Sequence, residues 1–457
     1  MKLPDGPQGS LLLKMIRWIA DPAAFLEQCA QRYGDAFTLW KVGSGYEVFL
    51  SHPQVIKEIF TADPSLLEAN EGARIFRHLL GDYSLLLIDG EKHQKQRRLL
   101  APPFQGERMR VYGQLICDAT EQVINQWRMG EPFLVRSSMQ NISLQVILQA
   151  VFGLYEGQRL QQLKQLLGSI LDYISSPLGV SLFFFQALQK DLGSWSPWGR
   201  YLRQKQQVDE LIYAEIRQLR EQPDPARTDI LNLLMSARDE EGQPMTDVEL
   251  RDELITLLIG GHETTATALS WAFYCVHHLP EVFNRLMKEL EGLGANPDPS
   301  RISQLPYLTA VCQETLRIYP VVIHAFPRVV KSPLHLMGYQ FDPGTELVAC
   351  TYLTHRREEL YPKPDLFKPE RFLERQFSPY EYFPFGGGNR RCIGMSMAQF
   401  EMKLILATTL SRWQLALVNN RPVRAVRRGV TLSPPANMRM VVTGPSPLTS
   451  KSSSALF

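Results

Sequence analysis

The stretch that decides the fold is Phe385–Gly394, which reads FGGGNRRCIG. It places Cys392 at the end of a glycine-rich loop, with Arg390 two residues before the cysteine and Gly394 two residues after it. Because glycine adopts positive φ without steric cost, Gly386–Gly388 allow a tight loop whose backbone N–H groups point inward. A thiolate that binds iron needs such donors nearby. The pattern therefore predicts a haem-thiolate loop with Cys392 as metal ligand, against the alternative of a glycine loop around a structural cysteine.

Composition predicts a large globular protein. The chain has 457 residues, of which 44% are hydrophobic and 21% charged, and no long linker divides it. We expect one domain over residues 1–442, followed by a serine- and proline-rich disordered tail, 443–457. The formal net charge of +2 is too small to indicate a nucleic-acid partner.

The cysteines and the N-terminus suggest a location. None of the six cysteines stands in a CxxC pair, so neither a zinc site nor a disulfide framework is predicted, and a reducing cytoplasm fits. The apolar stretch from Leu11 to Ile19 is interrupted by Lys14 and Arg17 and falls short of the roughly 20 residues that cross a bilayer. We expect no transmembrane anchor, and peripheral membrane contact through this stretch stays open.

Periodicity gives a coarse map of the elements. Residues 107–280 are mostly helical in pattern, with breaks at 222–225 and 241–244. After the second break, Thr246–Glu249 has the form of a capping box and opens a long helix that ends near His278. Strand-like patterns predict a hairpin over 37–50 around Gly43 to Gly45, strands over 329–355 with a turn at Asp342 to Gly344, and a hairpin over 430–442 around Ser433 to Pro435.

The Cys392 loop resembles the haem-ligand signature of the cytochrome P450 superfamily, and the stretch RRLLAPPFQGERMRVYG at 97–113 resembles a soluble bacterial or cyanobacterial branch of it. The match covers the fixed positions Phe385, Gly388, Arg390, Cys392 and Gly394. The resemblance implies the cytochrome P450 fold, mainly α with a smaller β-rich lobe, and haem b with the Cys392 thiolate as axial ligand. Phe385 would pack beside the sulfur, Arg390 would bind a haem propionate, and Gly394 would let the next helix approach.

The predicted long helix contains Gly260-Gly261-His262-Glu263-Thr264-Thr265 at its middle. Two adjacent helix glycines cost roughly 1 kcal/mol each against alanine, so they need a reason, such as close approach of a flat cofactor. The resemblance implies that Thr264 supports oxygen activation and that Glu263 belongs to the proton delivery route. The alternative is a kinked helix with a back-bonding threonine. His262 is not expected to be a ligand.

Three further cations have counterparts in the family. His93 and Arg97 stand one helical turn apart and would face the same propionate, and Arg328 would be another propionate partner. The alternative for the first two is a solvated basic helix start.

The resemblance also implies a structural network. Glu314 and Arg317 share a helix face, and Arg371 in Pro369-Glu370-Arg371-Phe372 would join them in a buried cluster that holds the haem-binding core without doing chemistry.

Together these features predict a monooxygenase that inserts one atom of O₂ into a hydrophobic substrate such as a fatty acid, alkane or terpenoid. We expect two external electrons from a ferredoxin or flavodoxin with its reductase, docked on a basic face of Lys92, Lys95, Arg98 and Arg391, and a monomeric enzyme. A haem-thiolate isomerase or peroxygenase acting on a hydroperoxide is one alternative. A non-catalytic haem gas sensor or carrier is another.

Overall fold

The computed structural model describes residues 3–41, 45–69, 71–154, 157–176, 179, 182–183, 188–224, 226–293 and 297–448. The helices are α1 Leu11–Ala20, α2 Pro22–Tyr33, α3 Pro53–Thr61, α4 Arg77–Leu80, α5 Gly90–Leu100, α6 Arg108–Ile124, α7 Val135–Phe152, α8 Gln158–Ser175, α9 Pro197–Glu221, α10 Ile230–Ser236, α11 Asp247–His278, α12 Pro280–Glu291, α13 Pro299–Ser303, α14 Pro306–Ile318, α15 Thr351–Thr354, α16 Arg371–Glu374 and α17 Met395–Arg412.

The strands are short. They are β1 Ala36–Lys41, β2 Gly45–Leu50, β3 Leu67–Glu68, β4 Pro132–Leu134, β5 Arg328–Val330, β6 Leu334–Leu336, β7 Tyr339–Phe341, β8 Glu346–Ala349, β9 Trp413–Leu417, β10 Val426–Arg428, β11 Thr431–Ser433 and β12 Arg439–Pro445. The prediction of a mainly α fold with a smaller β-rich lobe is confirmed.

Helix α11 forms the centre of the helical part. Its first residue follows the capping box: the Thr246 side chain accepts from the Glu249 N–H at 3.2 Å, and the Glu249 carboxylate accepts from the Thr246 N–H at 2.8 Å. It ends at His278, and α12 begins with Pro280, which has no N–H to continue the ladder. The predicted boundaries of this helix are confirmed. Helices α7, α9, α14 and α17 pack against α11 and bury most of it.

The β-rich lobe is built on a five-stranded sheet of order β1-β2-β8-β5-β3. Strands β1 and β2 are antiparallel, with Ala36 opposite Leu50, so the first predicted hairpin is confirmed, although its turn, residues 42–44, lies outside the described residues. The turn after β7 is also present, since the Thr345 N–H donates to the Asp342 carbonyl at 3.1 Å and Gly344 has φ of +90°.

Two strand predictions are wrong. The last hairpin is β10–β11, and it turns through Gly429 at φ of +57° and not through Ser433 to Pro435. Strand β12 pairs instead with β4 and β9, which come from distant parts of the chain. Residues 351–354, predicted as strand, form the short helix α15. Because strand partners are chosen by packing far along the chain, the local pattern did not identify them.

The end of the described chain passes the predicted domain boundary at residue 442. Strand β12 continues to Pro445, and the buried Ser446 donates its N–H to the Arg412 carbonyl at 3.1 Å. Residues 449–457, the rest of the predicted tail, lie outside the described residues. Within the described residues, no helix combines the length and apolar character needed to cross a membrane.

Candidate active site

The loop before α17 is closed by its own backbone. The Cys392 N–H donates to the Phe385 carbonyl at 2.9 Å, and the Gly386 N–H donates to the Phe383 carbonyl at 3.0 Å. Gly386 and Gly388 have φ of +67° and +64°, a region that other residues rarely adopt. The loop therefore holds the cysteine at the start of α17 in a fixed orientation.

A second reason for the glycines is the close approach of α3. A Cβ placed on Gly387 would lie 2.1 Å from the Phe60 ring, and one on Gly388 would lie 2.3 Å from the Phe60 carbonyl oxygen. A Cβ on Gly394, by contrast, would lie 4.0 Å from the Cys392 sulfur, an ordinary contact. Sterics therefore require Gly387 and Gly388 more strictly than Gly394, whose N–H hydrogen bonds the sulfur.

Cys392 differs from the other free thiols of the described chain. It is the exposed one, Cys117 is half-buried, and four are buried: Cys29, Cys275, Cys312 and Cys350. The sulfur is nevertheless enclosed by protein on most sides, and burial raises the pKa of its thiol, while the Gly394 N–H and the Arg97 guanidinium act to lower it. Cys392 is thus a reachable sulfur with N–H and cationic groups directed at it.

Arg390 and Asp89 join the loop to α5. Asp89 caps this helix by accepting from the Gly90 N–H at 2.8 Å, and it also pairs with Arg390 at 2.5 Å. Burial opposes ionisation of Asp89, but the Ala69 N–H and Arg390 hold its pKa below the usual value. Arg390 donates as well to the carbonyls of Leu85 and Ile88, at 3.0 and 2.6 Å.

The structure brings His93, Arg97 and Arg328 close to Arg390. Burial, together with the charges of Arg390 and Arg97, lowers the pKa of His93 to about 3. Burial and the charge of Arg390 also lower the pKa of Arg328 to about 10. The alternative interpretation, a solvated basic helix start, is wrong for His93, which is only 2% exposed. Among the described residues, the carboxylates that act on this cluster are Asp89 and, on Arg390 alone, Glu68, so three guanidinium groups face two carboxylates.

This surplus of buried positive charge fits the two propionates of haem b. Two buried donor atoms, Nδ1 of His93 and Nε of Arg390, find no hydrogen-bond partner within the described residues. Unpaired buried donors beside unneutralised cations are costly, and two carboxylates would satisfy both deficits. The donors, the cations and the accessible thiol of Cys392 therefore form a set that suits this cofactor.

The two glycines of α11 serve different purposes. Gly260 is exposed, and a Cβ placed on it would meet nothing within 4 Å. A Cβ on Gly261 would lie 2.9 Å from Cδ1 of Ile147, so this glycine allows α7 to pack closely. The Thr264 hydroxyl, one turn after Gly260, donates to the Gly260 carbonyl at 2.5 Å. Gly260 and the half-buried Thr264 thus give α11 an open face in an otherwise buried helix.

The Glu263 side chain points to α7 and is held there by polar contacts. Its carboxylate forms an ion pair with Arg136 and accepts from Gln140 Nε2 at 3.0 Å. Arg136 also donates to the Ser433 hydroxyl at 3.2 Å, and that hydroxyl lies 3.2 Å from the Thr267 hydroxyl. A buried acid is therefore available beside Thr264, held by a cation that the sequence pattern did not single out.

The predicted Glu314 network is a buried cluster. Arg317 makes a bidentate pair with Glu314 at 2.7 and 2.8 Å, and Arg371 Nε donates to the same carboxylate at 3.0 Å. Arg317 also donates to the His355 carbonyl at 2.8 Å, and His355 Nε2 accepts from the Phe383 N–H at 3.0 Å. Through His355 the network thus contacts Phe383, two residues before Phe385 of the cysteine loop.

The predicted docking cations differ from one another in what they contact. Lys95 and Arg98 are paired with acidic residues of the turn before α11, at 2.8 Å to Asp239 and 3.0 Å to Glu240, whereas Arg391 is exposed. Of the aromatic residues between 171 and 198, Phe183 and Trp198 pack into the core with Tyr201, and Trp195 is 91% exposed. Phe184 and Phe185 lie outside the described residues.

Sequence reasoning missed Asp89, Arg136, Gln140, Ser433 and His355 as parts of the site. The Asp89–Arg390 pair spans 301 positions and the Arg136–Glu263 pair spans 127. The only available signal was local, namely that Asp89 stands at an N-cap position before α5. Contacts of this span are set by the fold and leave no spacing pattern in one sequence.

Comparisons with known proteins agree with this geometry. The family model described as cytochrome P450 matches residues 4–441. A Mycobacterium tuberculosis protein named cytochrome P450 135B1 is 37% identical over 443 residues, which cover 97% of this chain and 92% of that protein. A Mycobacterium bovis protein named cytochrome P450 138 is 32% identical over 444 residues, 97% and 96% of the two chains. The solved structure of retinoic acid-bound cyanobacterial CYP120A1 superposes with a TM-score of 0.82 at 25% identity, covering 97% of this chain and all of that one.

Proposed function

The chain belongs to the cytochrome P450 family, and on that premise we propose that it oxidises a hydrophobic substrate such as a fatty acid, alkane or terpenoid. Family and fold make it a haem b monooxygenase with an axial cysteine thiolate. The observation that carries the assignment to particular residues is the buried cation cluster around Arg390 beside the accessible thiol of Cys392.

Each residue of the cluster receives a role in this proposal. Cys392 supplies the thiolate, with the Gly394 N–H directed at its sulfur. His93 Nδ1 and Arg390 Nε, the two unpaired donors, bind the propionates together with Arg97 and Arg328. The bound haem supplies the activation of O₂ and the insertion of one oxygen atom into a C–H bond.

Thr264 and Glu263 manage protons on the distal side in this proposal. The Thr264 hydroxyl can exchange its bond to the Gly260 carbonyl for a water or a substrate oxygen, because it lies on the open face of α11. Glu263, held by its pair with Arg136, accepts a proton from solvent and passes it toward that hydroxyl. Both residues therefore hold or move a proton without touching the metal.

The proposed substrate class rests on apolar side chains that the core leaves partly uncovered. Leu86, Leu87, Ile259 and Val322 are half-buried and pack on the main core, and Ile259 directly precedes Gly260 on α11. Partly uncovered apolar side chains favour a ligand that binds by apolar burial more than by charge. The bound ligand of CYP120A1, retinoic acid, is a largely apolar molecule, and it supplies the first compound to test.

We also propose that a ferredoxin or flavodoxin with its reductase supplies the two electrons, and that the enzyme works as a cytoplasmic monomer. Six free cysteines without a disulfide suit a reducing compartment. The exposed Arg391 in the cysteine loop gives an acidic electron donor a contact beside the cofactor.

The first test addresses the ligand. Cys392→Ser abolishes the reduced-CO absorption band that marks a thiolate-ligated haem, whereas Cys117→Ser, at a half-buried thiol, retains it. Retention of the band in Cys392→Ser would refute the assignment.

The second test addresses the reaction. Retinoic acid, lauric acid, palmitic acid and farnesol are titrated against the purified holoenzyme, and those that bind near the iron shift the Soret band. Shifting compounds are then incubated with O₂, NADPH, ferredoxin and reductase, and oxygenated product is expected. Product formed from hydroperoxide but never from O₂ would favour a peroxygenase, and absence of product from every compound would favour a sensor or carrier.

A further inference from the structure

Helix α1 carries its apolar side chains outward. Leu12, Leu13, Ile16 and Ile19 are between 53% and 65% exposed, and no residue of the helix is buried. Because successive helix residues are about 100° apart, these four side chains share one face. Large apolar side chains gathered on one exposed face indicate contact with another apolar medium.

The inner side of α1 fixes this orientation. Trp18 packs edge-on against Phe25 and Phe49, with ring centroids 6.2 and 5.8 Å away. The Trp18 carbonyl accepts from Arg427 Nη1 at 3.3 Å, and the same guanidinium lies 5.7 Å from the indole ring. The apolar face could turn inward only if these contacts broke.

The β10–β11 hairpin, joined to α1 through Arg427, extends the surface. Val426 and Val430 are 46% and 50% exposed. Arg421 and Arg424, which precede the hairpin, are also exposed. The arginines of this segment, Arg421, Arg424 and Arg427, therefore belong to a segment that contacts α1 through Arg427 and do not stand on an isolated solvated loop.

The charged residues of α1 and of the hairpin segment are all cationic, although Asp21 directly follows α1 and Asp172 acts on Arg428 of the hairpin. Helix α1 contains Lys14 and Arg17 and no acidic residue, and the sequence from Ser411 to Met440 contains no aspartate or glutamate. Two copies of the surface would bring cations together, which disfavours a dimer through it. The occupant must be apolar at its centre and negative at its border.

We propose that the face formed by α1 and the β10–β11 hairpin docks on an anionic phospholipid membrane. An amphipathic helix with exposed leucine and isoleucine and bordering cations lies in the plane between head groups and acyl chains. With ten residues, α1 is too short to cross the bilayer, so the contact is peripheral. Arg17, Arg421 and Arg424 meet the lipid phosphates.

This docking connects the membrane surface to α11 through strand β11. The hairpin continues into Leu432, whose carbonyl accepts from Trp271 Nε1 at 2.9 Å, and Ser433, whose hydroxyl lies 3.2 Å from that of Thr267. Delivery of a bilayer-dissolved substrate to this side rests on the proposed function. The docking itself does not, and it is measured without turnover.

The test is flotation of the haem-loaded full chain with vesicles of phosphatidylcholine, alone or mixed with phosphatidylglycerol. Wild type floats with the anionic vesicles, and salt weakens the binding. Ile16→Glu lowers the partition coefficient at least about tenfold. Arg421→Ala/Arg424→Ala lowers the partition coefficient on anionic vesicles about 25-fold, because each lost cation contributes a factor of about five.

Leu366→Glu is the matched control, because Leu366 is an apolar residue of similar exposure, 57%, outside this face. It floats like wild type, and far-UV circular dichroism with haem absorbance verifies folding of each variant. Wild type that fails to float with anionic vesicles overturns the proposal, as does Ile16→Glu that floats equally well. A wild-type dimer that Ile16→Glu converts to monomer would assign the face to a second copy and also overturn it.

Discussion

Glu263 and Thr264 are neighbours on α11, yet their side chains serve different elements. Thr264 bonds to the Gly260 carbonyl on the open face, while Glu263 is held by Arg136 and Gln140 of α7. The hydroxyl is therefore free to exchange partners, and the carboxylate is held in place by side chains of α7. This division suits a relay in which the acid supplies protons and the alcohol places them.

Replacing the hydroxyl should uncouple electron use from product. In Thr264→Ala, the haem and its reduced-CO band are retained, but the fraction of NADPH electrons recovered in product falls at least about tenfold, because a positioned proton donor is lost. The measurement compares NADPH consumed, product and hydrogen peroxide. Thr265→Ala, which removes the next and buried hydroxyl, is the control and stays coupled. Wild-type coupling in Thr264→Ala would remove the residue from the proton route.

His355 links stability to pH at a point remote from the chemistry. Its Nε2 accepts from the Phe383 N–H, and burial, together with the charges of Arg317 and Arg356, holds its pKa well below the usual value. A protonated ring would lose its role as acceptor and add a charge beside two guanidinium groups. As pH falls below about 6.5, the unfolded chain binds a proton that the folded chain refuses, so stability declines.

His355→Gln should weaken this acid sensitivity, since the amide oxygen can still accept from Phe383 and does not titrate. We expect the slope of unfolding free energy against pH, between pH 6 and 5, to drop by up to about 1.4 kcal/mol per pH unit. Urea unfolding followed by circular dichroism at several pH values measures the slope. His335→Gln, at an exposed position of β6, controls for loss of an imidazole, and identical slopes in wild type and His355→Gln would contradict the assignment.

At the scale of elements, α11 shows how one helix meets two demands at adjacent positions. Gly261 lets α7 approach until Ile147 would touch any added Cβ, whereas Gly260 leaves its side of the helix open. Gly260 therefore leaves space beside the helix, and Gly261 allows close packing. Two alanine substitutions one residue apart separate these effects.

Gly260→Ala should gain helix propensity, about 1 kcal/mol, without a steric cost. Gly261→Ala gains the same propensity but crowds Ile147. We therefore expect its free energy of unfolding to be roughly 1–3 kcal/mol lower than that of Gly260→Ala. Gly260→Ala, in turn, weakens the Soret shift with a bulky ligand more than Gly261→Ala does. Thermal or urea unfolding and ligand titration provide the two readouts. Equal stability of the two variants would show that α7 yields at this contact.

The elements divide into those that local sequence could predict and those that it could not. The long helix was predictable because its cap, its apolar repeat and its terminal proline lie within α11 and its borders. The last hairpin was misplaced because β12 finds its partners in β4 and β9, and Pro434-Pro435 looked like a turn signal. The Cys392 loop was likewise local, whereas the partners of Arg390 and Glu263 were chosen by the assembled fold.

At the scale of the whole molecule, the exposed arginines belong to separate parts of the structure. Arg421 and Arg424 precede the β10–β11 hairpin, while Arg391 lines a cleft of about 490 Å³ whose wall includes Phe385–Gly388 of the cysteine loop. Lys95 and Arg98, expected to share that face, are instead paired with Asp239 and Glu240 of the same chain. Such surface pairs are weak, but they neutralise the charge that an acidic partner would otherwise meet.

The electron donor should therefore depend on Arg391 more than on the cations of α5. At low ionic strength, Arg391→Glu slows reduction by an acidic ferredoxin about tenfold and flattens its salt dependence, because charge steering is lost beside the cofactor. Lys95→Glu/Arg98→Glu has a smaller effect, since it replaces cations that are already paired. Stopped-flow reduction under CO measures both variants, and Lys288→Glu, at an exposed lysine of α12, controls for net charge. A larger effect of the α5 double variant would return the docking site to that helix and show that the acidic turn gives way to the partner.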